Sequence, residues 1–212
     1  MGTIMKALIL VDLQNDFMPT GALPVPDGDE VITLANHLQS CFDLVVATQD
    51  WHPPDHESFA DNHPGKKPGD RVDLNGLEQI LWPGHCVQNT HGADFVNGLD
   101  TSHINMVFRK GTDPGIDSYS GFFDNGHRRD TGLGDYLKKR GVTDVYILGL
   151  ATDYCVKFTA LDARQLGFNT FLIEDACRGV DLNPGDVVRA VKEMEKSGVT
   201  VLKSKDILDT EM

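Results

Sequence analysis

The chain has no surplus of positive charge. Its 19 lysines and arginines stand against 32 aspartates and glutamates, a formal net charge of −13. Nucleic acids and anionic membranes are bound through basic patches, so the balance argues against both as partners. No apolar run approaches transmembrane length. The opening Met1 to Asp12 segment has one lysine and a short apolar run, without the long apolar stretch and small-residue cleavage site of a signal peptide. Lys6 stands where a myristoylation motif wants Ser or Thr. A cytoplasmic protein is expected. Cysteine is scarce, at positions 41, 86, 155 and 177 with no Cys-x-x-Cys pair, which points to free thiols in a reducing compartment. Internal repeats and low-complexity tracts are absent too. A chain of 212 residues suits one domain, spanning 1–212, with a sizeable core.

What is present is an alternation of two patterns. Short apolar runs at Ala7–Val11, Leu44–Thr48, Met106–Phe108, Asp144–Leu150, Thr170–Ile173 and Val199–Leu202 read as strands. Helical spacing covers Glu30 to Ser40, Asp130 to Arg140, Tyr154 to Gln165 and Asp186 to Lys196. Strands alternating with helices predict an α/β chain, a three-layer αβα arrangement around a mainly parallel, doubly wound sheet. Ligands of such sheets bind at the carboxyl ends of the strands. One segment breaks the alternation. Residues from about 50 to 103 are rich in Pro, Gly, His, Asn and Asp with little apolar periodicity, and a stretch that long inside one domain reads as a site-forming excursion.

Cys155 ends the run Gly149-Leu150-Ala151-Thr152-Asp153-Tyr154-Cys155, between the fourth main strand and a helix with apolar residues at Val156, Ala160 and Ala163. Thr152 and Asp153 are both good N-cap residues, which places Cys155 two or three positions into the first helical turn. A thiol there lies in the positive field of the helix terminus, which favours the thiolate, beside backbone N–H groups that have no intrahelical partner. Most free cysteines are simply small buried core residues, so position alone does not make Cys155 a nucleophile. Two other strand ends change the weighing. The first strand ends at Asp12 and the third at Lys110, so a carboxylate, a lysine and a thiol meet at one sheet edge. A carboxylate is an awkward base for a thiol: their reference pKa values leave a gap of roughly 6 kcal/mol against proton transfer. Burial of Asp12 would narrow it, and Lys110 acts on both partners.

The second strand ends in Thr48-Gln49-Asp50-Trp51-His52, where Asp50 and His52 face the same way in extended chain. His85, in Trp82-Pro83-Gly84-His85, would add a third ligand to a divalent ion. Imidazole with carboxylate suits zinc first, with iron or manganese as alternatives. His56 either joins that ion or hydrogen-bonds near it. His37, His63, His91, His103 and His127 read as solvated loop or surface residues.

Together, Val11-Asp12-Leu13-Gln14-Asn15-Asp16-Phe17, Thr48-Gln49-Asp50-Trp51-His52, Trp82-Pro83-Gly84-His85-Cys86-Val87, Lys110-Gly111-Thr112 and Gly149 to Val156 resemble the motifs of the nicotinamidases, within the isochorismatase-like cysteine hydrolases. The resemblance runs nearly end to end. It implies the isochorismatase-like hydrolase fold and hydrolysis of nicotinamide to nicotinate and ammonia in NAD salvage, with pyrazinamide as a second substrate. It makes Asp12 the base, Lys110 its charged partner and Cys155 the nucleophile. The N–H groups of Ala151 and Cys155 become an oxyanion hole, aimed by a cis peptide between Leu150 and Ala151. Phe17 and Trp82 sandwich the pyridine ring, and Asp50, His52 and His85 hold an ion for its nitrogen. The resemblance leaves open the roles of His56 and Ser58, and a homo-oligomer. Rival readings are an amidohydrolase for another carboxamide, a zinc hydrolase in which Cys155 is incidental, and a small-molecule sensor on the same fold.

Overall fold

The computed structural model describes residues 5–209; residues 1–4, the start of the segment read for targeting signals, lie outside them. Six strands build one sheet: β1 (Met5–Val11), β2 (Leu44–Asp50), β5 (Met106–Lys110), β6 (Val142–Leu150), β7 (Asn169–Arg178) and β8 (Thr200–Leu202). The order from edge to edge is β5-β2-β1-β6-β7-β8, and every neighbouring pair is parallel. Helices α1 (Val31–Gln39), α2 (Leu133–Lys139), α3 (Lys157–Gln165), α4 (Asp186–Lys196) and the short α5 (Ser204–Leu208) flank it. α1 and α5 pack together on β7, while α3 packs with α4 and on β6 and β7. The three-layer αβα architecture expected from the alternation is the one observed.

Position in the sheet explains each strand's composition. All seven residues of β2 are buried, as are the last five of β1, because helices cover both faces there and leave no room for polar alternation. Ala7, Leu8, Ile9 and Val11 are fully buried, each larger one contributing about 1.5–3 kcal/mol. At the edge, β5 exposes Met106 and Val107 and buries only its last residue, Lys110. Among the described residues, no helix is long and apolar enough to cross a membrane.

The chain leaves β1 toward β2 and β5 on one side, and reaches β6, β7 and β8 on the other. The order therefore reverses between β1 and β6, which opens a crevice at their carboxyl ends. Gly149 makes a close approach there. At φ 126° it lies beyond the ordinary reach of L side chains, and a Cβ on it would collide with the Val11 carbonyl.

The excursion is not structureless. It contains an antiparallel hairpin of β3 (Arg71–Leu74) and β4 (Leu77–Ile80) that the apolar pattern had not indicated. Its turn is Asn75-Gly76, with φ 52° and 86°, the left-handed pair that a two-residue hairpin needs. That dipeptide was the available signal. Bridges from His52 to Val87 and from Phe59 to Trp82 stitch the rest of the excursion to itself and to the end of β2.

Candidate active site

Four strand ends bring polar groups together at one edge of the sheet. Asp12 directly follows β1, Asp50 closes β2, Lys110 closes β5, and β6 leads into the turn that carries Cys155. Asp50 and Lys110 are register partners across β2 and β5, so pairing itself brings their side chains together. The Lys110 Nζ lies 2.6 Å from Asp50 Oδ1, 2.9 Å from Asp12 Oδ2, 2.9 Å from the Ser118 carbonyl and 3.4 Å from Cys155 Sγ. This ammonium is buried, and two carboxylates at contact distance, with the Ser118 carbonyl, offset the loss of its hydration.

Asp12 is fully buried, and its two oxygens are distinct. Oδ1 accepts a 2.6 Å hydrogen bond from the Thr48 hydroxyl. Oδ2 is ion-paired with Lys110 but has no partner in hydrogen-bond geometry. Burial pushes the Asp12 carboxyl up, Lys110 pulls it down, and the nearby Asp50 charge pushes it up again. The net direction is upward, because burial, with the Asp50 charge beside it, outweighs the ammonium that the two carboxylates share. For Asp50 burial also acts upward, but Lys110 and then His52 outweigh it and hold that carboxyl well below its usual range.

The turn bearing Cys155 differs from expectation. Thr152 and Asp153 do not cap it; the N-cap is Ala151, in extended conformation and without a side-chain cap. Residues Thr152–Val156 form one π-helical turn, in which the Val156 N–H reaches the Ala151 carbonyl at 3.1 Å, and α3 begins only at Lys157. The Asp153 carboxylate instead receives the N–H groups of Val180 and Asp181, at 3.0 and 2.8 Å, and ties the loop after β7 to this turn. The peptide between Leu150 and Ala151 is cis. The expected depression of the thiol pKa is also overturned. Burial pushes the Cys155 thiol well up, and the nearby Lys110 only opposes that. Desolvation of a thiolate outweighs the partial charge of a helix terminus.

On the other side of Asp50, two imidazoles converge. Nε2 of His52 and Nε2 of His85 lie 3.7 and 3.9 Å from Asp50 Oδ2. Both spacings fall within the roughly 4.2 Å that two ligands about 2.1 Å from one ion can span. Each Nδ1 faces a backbone carbonyl at 2.9 Å, Gly111 for His52 and Pro83 for His85. A carbonyl only accepts, so each Nδ1 carries a proton, and each Nε2, directed toward Asp50, is the ring atom left to meet an ion. The donor set therefore fits a divalent cation. Gly111, at φ 63°, is required for this: a Cβ there would enter the His52 ring. Burial, and then the positive field of His52, lower the His85 pKa to about 4, which leaves it a neutral donor. His56 is buried beside them with Nδ1 2.7 Å from the Ser58 hydroxyl and Nε2 unpartnered, its pKa lowered by burial to about 4.

Phe17, Leu23, Trp82, Tyr154 and Val180 form the apolar walls of the pocket, with Asp50, His85, Ala151 and Cys155 at its base. Of the site residues read from the sequence, Phe17, Asp50, Trp82, His85, Ala151 and Cys155 line the pocket, while Asp12, Lys110 and His52 lie behind it and join it through Lys110 and Asp50. Of the histidines read as solvated, His37, His91, His103 and His127 are exposed and His63 is half-buried. Several residues were missed. Gln14 clasps Asp50, donating to its carbonyl and accepting from its N–H, both at 2.8 Å. Thr48 orders Asp12, while Asp117 and Tyr119 line the pocket. Thr48 and Gln14 lie inside the quoted motifs, but Asp117 and Tyr119 follow Lys110 in a polar loop that carries no periodic signal.

An isochorismatase domain model matches residues 6–206. A nicotinamidase of Escherichia coli (strain K12) is 49% identical over 210 residues, covering 97% of this chain and 98% of the relative. Among solved structures, an Acinetobacter baumanii nicotinamidase/pyrazinamidase superposes with a TM-score of 0.93 at 49% identity, over 95% of this chain and 97% of that one. A Pyrococcus horikoshii pyrazinamidase in complex with zinc superposes with a TM-score of 0.77 at 42% identity, over 93% and 98%.

Proposed function

The chain belongs to the isochorismatase family, and on that premise we propose that it hydrolyses nicotinamide to nicotinate and ammonia through a thioester on Cys155, serving NAD salvage and accepting pyrazinamide as well. One observation carries the reading. Lys110 touches Asp12, Asp50 and Cys155 at once, so a base, a thiol and an imidazole–carboxylate cation site share one buried ammonium.

The residues have separate tasks. Asp12 Oδ2, ion-paired with Lys110 and raised in basicity by burial, takes the thiol proton. Lys110, 3.4 Å from the sulfur, stabilises the thiolate that burial otherwise disfavours. The sulfur attacks the carboxamide carbon, and the N–H groups of Ala151 and Cys155 receive the developing oxyanion. The C–N bond breaks as protonated Asp12 returns its proton to the leaving ammonia. Asp12 then deprotonates a water that attacks the thioester, and the released sulfur regains a proton as nicotinate departs. Phe17 and Trp82 hold the flat ring from its two faces and keep bulk water out. Asp50, His52 and His85 would hold the divalent ion, zinc first, then iron or manganese. When bound, it supplies a Lewis acid for the ring nitrogen and so favours pyridine and pyrazine carboxamides over other amides.

Ammonia release from nicotinamide by the metal-loaded protein, beside a Cys155→Ala variant, tests the proposal. Release by the native protein and none by the variant is expected. A native protein that releases no ammonia overturns the reading, and a fully active Cys155→Ala protein overturns the thioester.

A further inference from the structure

We infer that Gln79 is a positioning residue for this reaction: through the Tyr119 hydroxyl it holds the Trp82 indole as one wall of the ring pocket. The inference rests on the reading of Trp82 as a ring-binding residue. Gln79 lies on β4, at the inner face of the excursion hairpin, and is 3% exposed. A polar carboxamide at a buried hairpin position is costly unless it is hydrogen-bonded, and an apolar side chain would fill the place without that demand. The two N–H groups of its Nε2 are shared among three acceptors, the Ile80 carbonyl at 2.7 Å, Asp117 Oδ2 at 3.0 Å and the Tyr119 hydroxyl at 3.1 Å. Two of the three belong to residues that line the substrate pocket.

The direction of each bond follows from chemistry. An ionised carboxylate only accepts, so Asp117 fixes the amide with its NH2 side inward. The other oxygen of Asp117 accepts from the Ser118 N–H at 2.8 Å. An indole N–H only donates, so the 3.1 Å contact from Trp82 Nε1 makes the Tyr119 oxygen an acceptor there as well. The phenol oxygen thus receives two donors, one from the hairpin and one from the ring wall. The Trp82 backbone is held by the Ser58 carbonyl and the Ala60 N–H, each at 2.8 Å, but the indole N–H is the side chain's one polar group and Tyr119 takes it. The ring also packs edge-on against Tyr154, with centroids 4.9 Å apart at 88°, and Tyr154 in turn packs against Tyr119. Removing the Gln79 amide loosens Tyr119, and with it the indole, without touching Cys155, Asp12 or Lys110.

The test uses full-length, metal-loaded protein. Gln79→Met keeps the volume and removes the hydrogen bonds; Tyr119→Phe removes the shared acceptor. Each is expected to raise the KM for nicotinamide about tenfold, the worth of one ordering hydrogen bond, with kcat within about twofold. The double variant is expected to lose less than the product of the two single losses, because the route from Gln79 to the indole runs through that hydroxyl. The chain has two tryptophans, so its amide-region NMR spectrum holds two indole N–H peaks, and a Trp51→Phe spectrum assigns the one from Trp82. That peak should move upfield in both variants, with or without substrate. Unchanged KM in Gln79→Met, multiplicative losses in the double variant, or an unmoved Trp82 peak overturns the inference. Should Gln79→Met fail to fold, an unmoved peak in Tyr119→Phe overturns it alone. Native protein that does not turn over nicotinamide sinks the functional reading, while the indole peak still tests the hydrogen bond.

Discussion

At the carboxyl edge of the sheet, strand pairing places Asp12, Asp50 and Lys110. Across the pocket, loops place His85, Trp82 and Tyr119. On the sheet side, register fixes the backbone and the groups are dry, charged and mutually dependent, so each one sets the protonation of the next. On the loop side, single hydrogen bonds do the aiming: a carbonyl on each imidazole Nδ1, a phenol on the indole. Charge coupling in a dry site is worth several kcal/mol, whereas an ordering hydrogen bond is worth about 1 kcal/mol. Damage on the sheet side should therefore abolish activity, and damage on the loop side should weaken binding.

The largest effect is expected from Cys155→Ala, a loss of at least about 10⁴-fold in kcat with fold and metal content kept, read by ammonia release and metal analysis. Retention of more than a few per cent of activity would contradict covalent catalysis. Lys110→Met comes next. It leaves two buried carboxylates without their cation and should cost about 3–5 kcal/mol of stability in denaturant unfolding, as well as activity. A variant as stable as the native protein would show that the ammonium is not what holds the edge together. On the loop side, His85→Ala should lower metal affinity by more than the roughly 10–100-fold that loss of a ligand's orienting partner costs, and raise KM while the circular dichroism spectrum stays native, and stripping the metal should act alike. Equal nicotinamide binding by the stripped protein would remove the ion from substrate recognition.

A pH dependence sharpens the contrast. A raised thiol pKa means little thiolate at neutral pH and about tenfold more per pH unit up to that pKa. Burial raises Cys155 in this sense, so its alkylation by iodoacetamide should accelerate about tenfold per unit between pH 7 and 9. A plateau near pH 7 would mean that Lys110 and the turn win instead. Cys177, pushed by burial to about 12, should stay unmodified throughout. The smallest effect belongs to the hairpin turn. Gly76, at φ 86°, has open space around its Cα, so Gly76→Ala should cost only about 1 kcal/mol, with kcat unchanged. Gly149→Ala should prevent folding, because its Cβ would enter the Val11 carbonyl.

Much of the sheet side was legible in the sequence. Short apolar runs that end near a chemically conspicuous residue can be read directly, and Asp12, Lys110 and the strand before Cys155 are such ends. Asp50 and His52 were legible because two residues in extended chain share a face. Less visible were groups whose role depends on who stands opposite. Gln14, Thr48, Asp117, Tyr119 and Gln79 are ordinary polar residues until the fold buries them against a partner. The hairpin carried a usable Asn-Gly turn, but its strands are four residues each, too short for periodicity to show.

By itself the sequence determined the order of strands and helices, which makes a parallel sheet with a crevice at its carboxyl edge, and the set of reactive side chains delivered to that edge. Tertiary structure decided their chemical state. It replaced the expected capped helix by a π turn, raised the thiol and Asp12 where a favoured thiolate had been expected, and divided one ammonium between two carboxylates. The reason is physical. Local pattern follows from covalent neighbours and backbone preference, while desolvation and charge coupling depend on groups brought together from as far apart as Asp12, Asp50, Lys110 and Cys155.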